Sequence, residues 1–147
     1  MNTFYEQCKA NHLKITPQRV AVYKALSSSL SHPSTDQIHR ELKKDFPNIS
    51  LDTVNRTLIS FAKANLIDVV EGHGDPRRYD PNQESHHHFY CVSCRKIFDI
   101  HDNSLDCLTL SPEIEKKFTI TGKRLCLTGF CDQCRSPQKK AAEKSTG

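Results

Sequence analysis

The sequence predicts an α+β fold in two small lobes, the first mainly helical and the second built on short strands. Three observations predict it. Residues 4–64 carry helical periodicity punctuated by Pro, Ser and Asn. Two Cys-x-x-Cys pairs, Cys91/Cys94 and Cys131/Cys134, stand at the ends of strand-like runs, and the polar stretch 81–85 (PNQES) lies between the two kinds of pattern. The expected boundaries are a first domain at 1–80, a hinge at 81–85, a second domain at 86–136 and a disordered basic tail at 137–147.

With 147 residues, 36% hydrophobic and no Trp, each lobe has a thin core, and a metal staple or dimerisation is expected to make up part of the stability. The opening residues MNTFYEQ lack a basic-then-apolar leader pattern, and no apolar run approaches the roughly 18 residues of a membrane span. A soluble, cytoplasmic protein with no membrane partner is expected. Seven cysteines, four of them in Cys-x-x-Cys pairs, favour a metal site in a reducing compartment over a disulfide framework. The formal charge of +4 suits nucleic-acid contact without proving it.

In chain order, residues 4–11 read as a short helix turning Phe4, Cys8 and Tyr5 inward. Thr16-Pro17 opens a second, with Thr16 as N-cap, and places Val20, Tyr23, Ala25/Leu26 and Leu30 at helical spacing. Ser34-x-x-Gln37 resembles a capping box and opens a third helix to about Lys44 that buries Ile38 and Leu42. After the Phe46-Pro47-Asn48 turn, Ser50 caps a fourth from Leu51 to Ala64, with an apolar stripe of Leu51, Val54, Leu58 and Phe61. Its other face carries Asp52, Asn55, Arg56, Ile59 and Lys63.

Two helices joined by a short turn, the second presenting Asn and Arg early, are the sequence form of a helix-turn-helix. The run Leu66–Val70, a Gly-rich turn (Gly72, Gly74) and Arg77-Arg78-Tyr79 then read as a wing hairpin. A helix N-terminus favours phosphate, and Asn or Arg beside it reaches adenine or guanine edges. Arg77 and Arg78 would meet backbone phosphate or a minor groove. The competing reading is a helical bundle with a solvated basic face.

Beyond the hinge, His86–Cys91 and Lys96–Ile100 read as two strands joined by the first cysteine knuckle. A short helix capped by Ser111 runs to about Phe118, and a long strand through Ile120, Leu125, Leu127 and Phe130 delivers Cys131. The exposed edge of such a sheet is a natural dimer surface. The two cysteine pairs, separated by residues 95–130, supply four thiolates to a tetrahedral Zn²⁺ and leave no open position, so this site is structural. The bland reading is four unrelated thiols or two disulfides.

The remaining donors are His32, Asp80, His86, His87, His88, Asp99 and His101. On a strand, His86 and His88 share one face and His87 takes the other, so two imidazoles and Asp99 can meet one ion. Imidazole with carboxylate suits Fe²⁺, Mn²⁺ or Zn²⁺. The bland reading of the His triplet is a solvated polar strand.

These residues in this order resemble the ferric uptake regulator (Fur) family: ITPQR (15–19), SHPS (31–34), FPNIS (46–50), DTVNRTL (52–58), HHHFYCVSC (86–94) and CDQC (131–134). The resemblance spans nearly the whole chain. It implies a homodimeric repressor with an N-terminal winged helix-turn-helix and a small α/β dimerisation domain, binding double-stranded DNA at a palindromic operator. It implies structural zinc at Cys91, Cys94, Cys131 and Cys134, and a regulatory Fe²⁺ or Mn²⁺ at His32, Asp80, His86, His88 and Asp99. The expected DNA contacts are Arg19, Thr53, Asn55, Arg56, Lys63, Arg77 and Arg78.

Aspartate at Asp99, where iron-uptake regulators usually carry glutamate, resembles the peroxide regulator (PerR) branch. That likeness implies iron-catalysed oxidation of His32 or His86 by H₂O₂, with release of DNA. Three departures stand out: Asn55 where relatives often have Tyr, His87 where iron regulators often have Asp, and no histidine after His101 for a second regulatory site. Cys107 and Cys126 read as ordinary thiols. Two alternatives remain: a sensor of iron, zinc or manganese availability without ligand oxidation, and a zinc hydrolase. Against the second stands the absence of HExxH and of a general base beside a metal-bound water. No catalytic residue is expected.

Overall fold

The helix N-termini form where the sequence provides an oxygen to hold them. After Asn2–Ala10 (α1), Thr16 accepts from the Arg19 N–H ahead of Pro17–Ser27 (α2). Ser34 and Gln37 form a reciprocal capping box at the head of Thr35–Leu42 (α3), with the Ser34 N–H 2.8 Å from Gln37 Oε1. Ser50 accepts from the Thr53 N–H at the head of Leu51–Lys63 (α4). The structure is a computed structural model describing residues 2–70 and 76–135. The expected wing-turn glycines Gly72 and Gly74 and the tail 137–147 lie outside the described residues.

The C-terminus of α4 closes by a different device. Asn65 takes the left-handed conformation (φ 53°), its N–H reaching the Ala62 carbonyl while the Leu66 N–H reaches Phe61. This is a Schellman closure, and it turns Leu66 back onto the apolar layer that contains Phe61. Asp68–Val70 (β1) then pairs antiparallel with Arg78–Asp80 (β2), Val69 opposite Tyr79. The strand is shorter than expected because Leu66 and Ile67 are used as core residues of the turn, not as ladder residues.

One core unites these elements: Phe4, Cys8, Val22, Leu26, Ile38, Leu42, Val54, Leu58, Phe61, Leu66, Ile67 and Tyr79 are all buried. Phe4 stacks on Tyr23 with ring centroids 4.2 Å apart and meets Phe61 edge-on at 5.6 Å. Burial pushes the Cys8 thiol above its ordinary pKa, as befits a small apolar core residue. Several inward assignments fail for geometric reasons. Leu30 lies past the end of α2 and is 96% exposed, while Val22, one turn before Leu26, takes the buried stripe instead. Leu51 is exposed in the first turn of α4, before the stripe meets the core, and Tyr5 is exposed beside Phe4.

The chain divides into two compact units between Glu84 and Ser85. In the second, His87–Cys91 (β3) is the central strand of three. It runs antiparallel to Ile97–Ile100 (β4). It runs parallel to Cys126–Gly129 (β5). Between β4 and β5 lie Asn103–Asp106 (α5), which the sequence pattern did not reveal, and Pro112–Lys117 (α6). Ser111 stands at the expected N-cap position of α6 but makes no side-chain cap hydrogen bond. The strand expected from Ile120 begins only at Cys126, where the backbone reaches β3. Among the described residues no helix is long and apolar enough to cross a membrane.

Two substitutions test this account of the first unit by denaturant unfolding. Phe61→Ala, at the centre of the core, is expected to cost about 3–5 kcal/mol. Ser34→Ala, which removes one side of the capping box, is expected to cost about 0.5–2 kcal/mol.

Candidate metal centres

The cysteine knuckles are assembled by strand ends. Cys91 closes β3, Cys94 follows in a turn whose Arg95 is left-handed (φ 59°), and Cys131 and Cys134 follow β5, which lies beside β3. One sulfur from each of the four lies within 4.8 Å of the others, and Cys94 Sγ is 3.9 Å from Cys131 Sγ. A tetrahedral Zn²⁺ with Zn–S near 2.3 Å sets its sulfurs about 3.8 Å apart. The donor set therefore fits zinc.

The electrostatics of the cluster favour thiolate at Cys91 and oppose it at Cys134. Backbone N–H groups, that of Cys94 first and Cys131 next, pull the Cys91 thiol down to about 6. Cys134 is pushed up to about 11: a hydrogen bond with Ser93 works against this, and Cys131, burial, Cys91 and Cys94 together outweigh it. Neighbouring sulfurs resist accumulating negative charge, which a divalent cation relieves.

On β3 the alternation of side chains separates the histidines. His86 and His88 bring their Nε2 atoms to 2.9 Å, with Asp99 Oδ1, from the residue paired with His88 on β4, 3.6 Å from each. Both imidazoles are buried. Ligands 2.1 Å from one ion stand about 3.0 Å apart in octahedral and about 3.4 Å in tetrahedral geometry, so this trio has the spacing of donors around a cation. The His101 ring lies 5.7 Å from that of His86.

In the first unit, His32 and Asp80 form a second buried pair, Nε2 to Oδ2 at 3.3 Å. His32 sits in the left-handed region (φ 49°), at the break between α2 and α3. Asp80, the last residue of β2, also accepts the Asn82 N–H at 2.8 Å. Each carboxylate oxygen thus has a separate duty.

The residues expected to touch DNA are distributed over the first unit. Arg19, Thr53 and Arg56 line one shallow concavity of about 260 Å³ at the heads of α2 and α4, with Thr16, Gln18, Asp52 and Thr57. Within it Arg56 pairs with Asp52 at 2.9 Å, Arg19 reaches the Lys14 carbonyl, and the Thr53 hydroxyl meets Ser50. Asn55 is half-buried, while Lys63 and Arg77 are exposed. Arg78 is half-buried and its guanidinium donates to the carbonyls of Ser31, at 3.0 Å, and His32.

A family model, the "Ferric uptake regulator family", matches residues 10–128. The chain belongs to the ferric uptake regulator family. It is 34% identical over 125 residues to the peroxide-responsive repressor PerR of Staphylococcus saprophyticus, covering 85% of this chain and 84% of that one. Its structure is similar to that of the Helicobacter pylori ferric uptake regulator Fur, described as having three functional metal binding sites (TM-score 0.71, 27% identity, 92% of each chain). It is also similar to PerR from Streptococcus pyogenes, described in terms of peroxide sensing and gene regulation (TM-score 0.52, 26% identity, 90% of this chain and 91% of that one).

Within this family frame, His87 has a duty the sequence did not reveal. It is 1% exposed, its Nδ1 accepts the Leu125 N–H at 3.1 Å, and its Nε2 faces Asp106 Oδ1 at 3.0 Å. The acceptor role at Nδ1 fixes the proton on Nε2, which donates to Asp106. Both nitrogens are engaged, so His87 ties β3 to α5 and to the start of β5 and has no lone pair left for a metal. An apolar-strand periodicity cannot signal this, because the partner helix α5 is only four residues long.

Two measurements follow. One equivalent of Zn²⁺ added to reduced apoprotein is expected to protect four of the seven cysteines from a thiol reagent; exposed Cys107 and Cys126 stay fast and buried Cys8 slow. His87→Ala, which strands Asp106 and the Leu125 N–H, is expected to destabilise the protein by about 1–3 kcal/mol with bound-metal stoichiometry unchanged.

Proposed function

We propose that this chain is a metal-responsive, homodimeric transcriptional repressor that binds a palindromic operator and senses hydrogen peroxide through oxidation of a histidine ligand. The observation that carries the reading is the buried His86–His88 pair, Nε2 atoms 2.9 Å apart and both 3.6 Å from Asp99. Two imidazoles and a carboxylate converging in this way form a donor set for Fe²⁺ or Mn²⁺. His32 and Asp80 complete the proposed regulatory set of five, and the four cysteines hold structural zinc.

The chain's own residues set the terms of sensing. Burial of His32, Asp80, His86 and His88 keeps bulk water from competing for the donors, and Asp99, partly exposed, leaves an approach for a small neutral oxidant. When bound, Fe²⁺ would supply the redox chemistry by which H₂O₂ places one of its oxygens on an adjacent imidazole while the other leaves as water; Mn²⁺ in the same donors would not. A His32 or His86 ring that has gained oxygen is a poorer donor, and the regulatory set is then lost. Metal binding and DNA binding are linked, each favouring the state the other prefers. The concavity holding Arg19, Thr53 and Arg56 adjoins two helix N-termini and suits phosphate and base-edge contact.

Homodimer formation is supported by the second unit's composition of buried residues. Beyond the histidines, its buried side chains among the described residues are Tyr90, Cys91, Ile97 and Cys131, whereas Leu108, Phe118, Leu127 and Phe130 are exposed. A second copy covering the β5 edge gives that apolar surface a place to go.

The test is peptide mass mapping after anaerobic Fe²⁺ loading and stoichiometric H₂O₂, against an Mn²⁺-loaded control. One added oxygen on the His32 or His86 peptide, with iron alone and alongside lost operator binding, is expected. Intact histidines with operator binding still governed by metal would leave regulation by metal availability.

A further inference from the structure

The wing strand β2 has two same-face residues that grip one segment. Arg78 and Asp80 are separated by two positions and so point to the same side of the strand. Arg78 donates through Nε to the His32 carbonyl and through Nη2 to the Ser31 carbonyl, and Asp80 meets the His32 imidazole at 3.3 Å. The main chain joins in: the Tyr79 N–H reaches the Pro33 carbonyl at 3.1 Å, and Ser34 forms an antiparallel bridge with Arg78. Residues 31–34 therefore lie along β2 as a short added strand.

His32 needs this support. A non-glycine residue at φ 49° costs about 1–2 kcal/mol in the left-handed region. That conformation persists only when its surroundings over-determine it. The planar guanidinium fork spans two successive carbonyls and so fixes the orientation of both peptide planes. A lysine ammonium is a point donor with no such fork.

We propose that Arg78 is a positioning residue of the regulatory metal centre: it holds the Ser31–His32 backbone so that the His32 imidazole meets Asp80, and it thereby couples the wing hairpin to metal occupancy. This rests on the assignment of His32 and Asp80 as metal ligands. It departs from the role expected of Arg78 as a contact to DNA. Occupancy of the centre draws on a residue at each end of the grip, so a bound ion steadies β2, and β2 carries the wing that a winged helix lays on DNA.

The experiment compares full-length wild type with Arg78→Lys, Arg78→Gln and His32→Ala, each with its zinc retained. Mn²⁺ isotherms are measured alone, and operator binding is measured at saturating Mn²⁺ over a range of salt. Arg78→Lys and Arg78→Gln are expected to weaken Mn²⁺ binding by about 10-fold or more, the usual size for loss of an outer-shell partner. Operator affinity at saturating Mn²⁺ should be restored, with the salt slope unchanged. Co²⁺ placed in the same site should show shifted d–d bands in Arg78→Lys, a change in ligand geometry that general destabilisation does not produce.

Unchanged Mn²⁺ affinity in both Arg78 variants, or operator binding that stays weak at saturation with a salt slope smaller by about one, makes Arg78 a phosphate contact and overturns the proposal. Mn²⁺ binding unaffected by His32→Ala overturns the site assignment itself, and this proposal with it. If both Arg78 variants fail to fold, hydrogen exchange of the wild type decides. Mn²⁺ is expected to slow exchange of the Tyr79 amide, and no change on metal addition counts against the coupling.

Discussion

Side-chain alternation along β3 is the constraint on which most of this protein depends. A strand sends successive residues to opposite faces, so three consecutive histidines cannot do one job. His86 and His88 meet each other and Asp99, while His87 is turned to the opposite face and spends both nitrogens on Leu125 and Asp106. The same strand ends at Cys91, so one five-residue element positions donors at both of its ends. A one-residue slip of register would exchange the faces and dismantle the His86–His88–Asp99 trio and the His87 tether together.

The two units are stabilised in different ways. The first has a continuous apolar core running from Phe4 to Tyr79, built from helices with oxygen caps and a Schellman closure at Asn65. The second buries few apolar side chains and leaves Phe98, Phe118 and Phe130 exposed. A four-thiolate cluster is a compact substitute for a core, since metal binding free energy becomes folding free energy when the unfolded chain lacks a site. The low pKa of Cys91 prepares the first of those thiolates, and the raised pKa of Cys134 marks the place where the cluster's own charge is hardest to tolerate.

The proposed coupling of metal to DNA has a concrete carrier in β2. Arg78, Tyr79 and Asp80 each engage residues 31–34 or the core, the first through its guanidinium, the second through its N–H and buried ring, the third through its carboxylate. A three-residue strand is marginal alone. It is joined on one side to β1 and held on the other by the segment that carries His32.

Much of this was legible in the residues themselves. Caps at Thr16, Ser34 and Ser50 are local, since each side chain serves an N–H three residues away, and so they mark helix starts wherever the chain is cut. The pairing of Cys91 with Cys94 and of Cys131 with Cys134 is local for the same reason, as is the separation of His86 and His88 from His87. What only the tertiary structure decided depends on residues far apart in sequence. Leu30 reads as a core residue, but where α2 ends leaves it in solvent while Val22 takes the buried place. His87 reads as a spare ligand until β5 and α5 are brought to its two nitrogens. Arg78 reads as a cation for phosphate until the carbonyls of residues 31 and 32, more than forty positions earlier, are placed against its fork. Hydrogen-bond partners across such distances leave no periodicity in the sequence, because the chain path between them is free to vary while the contact is not.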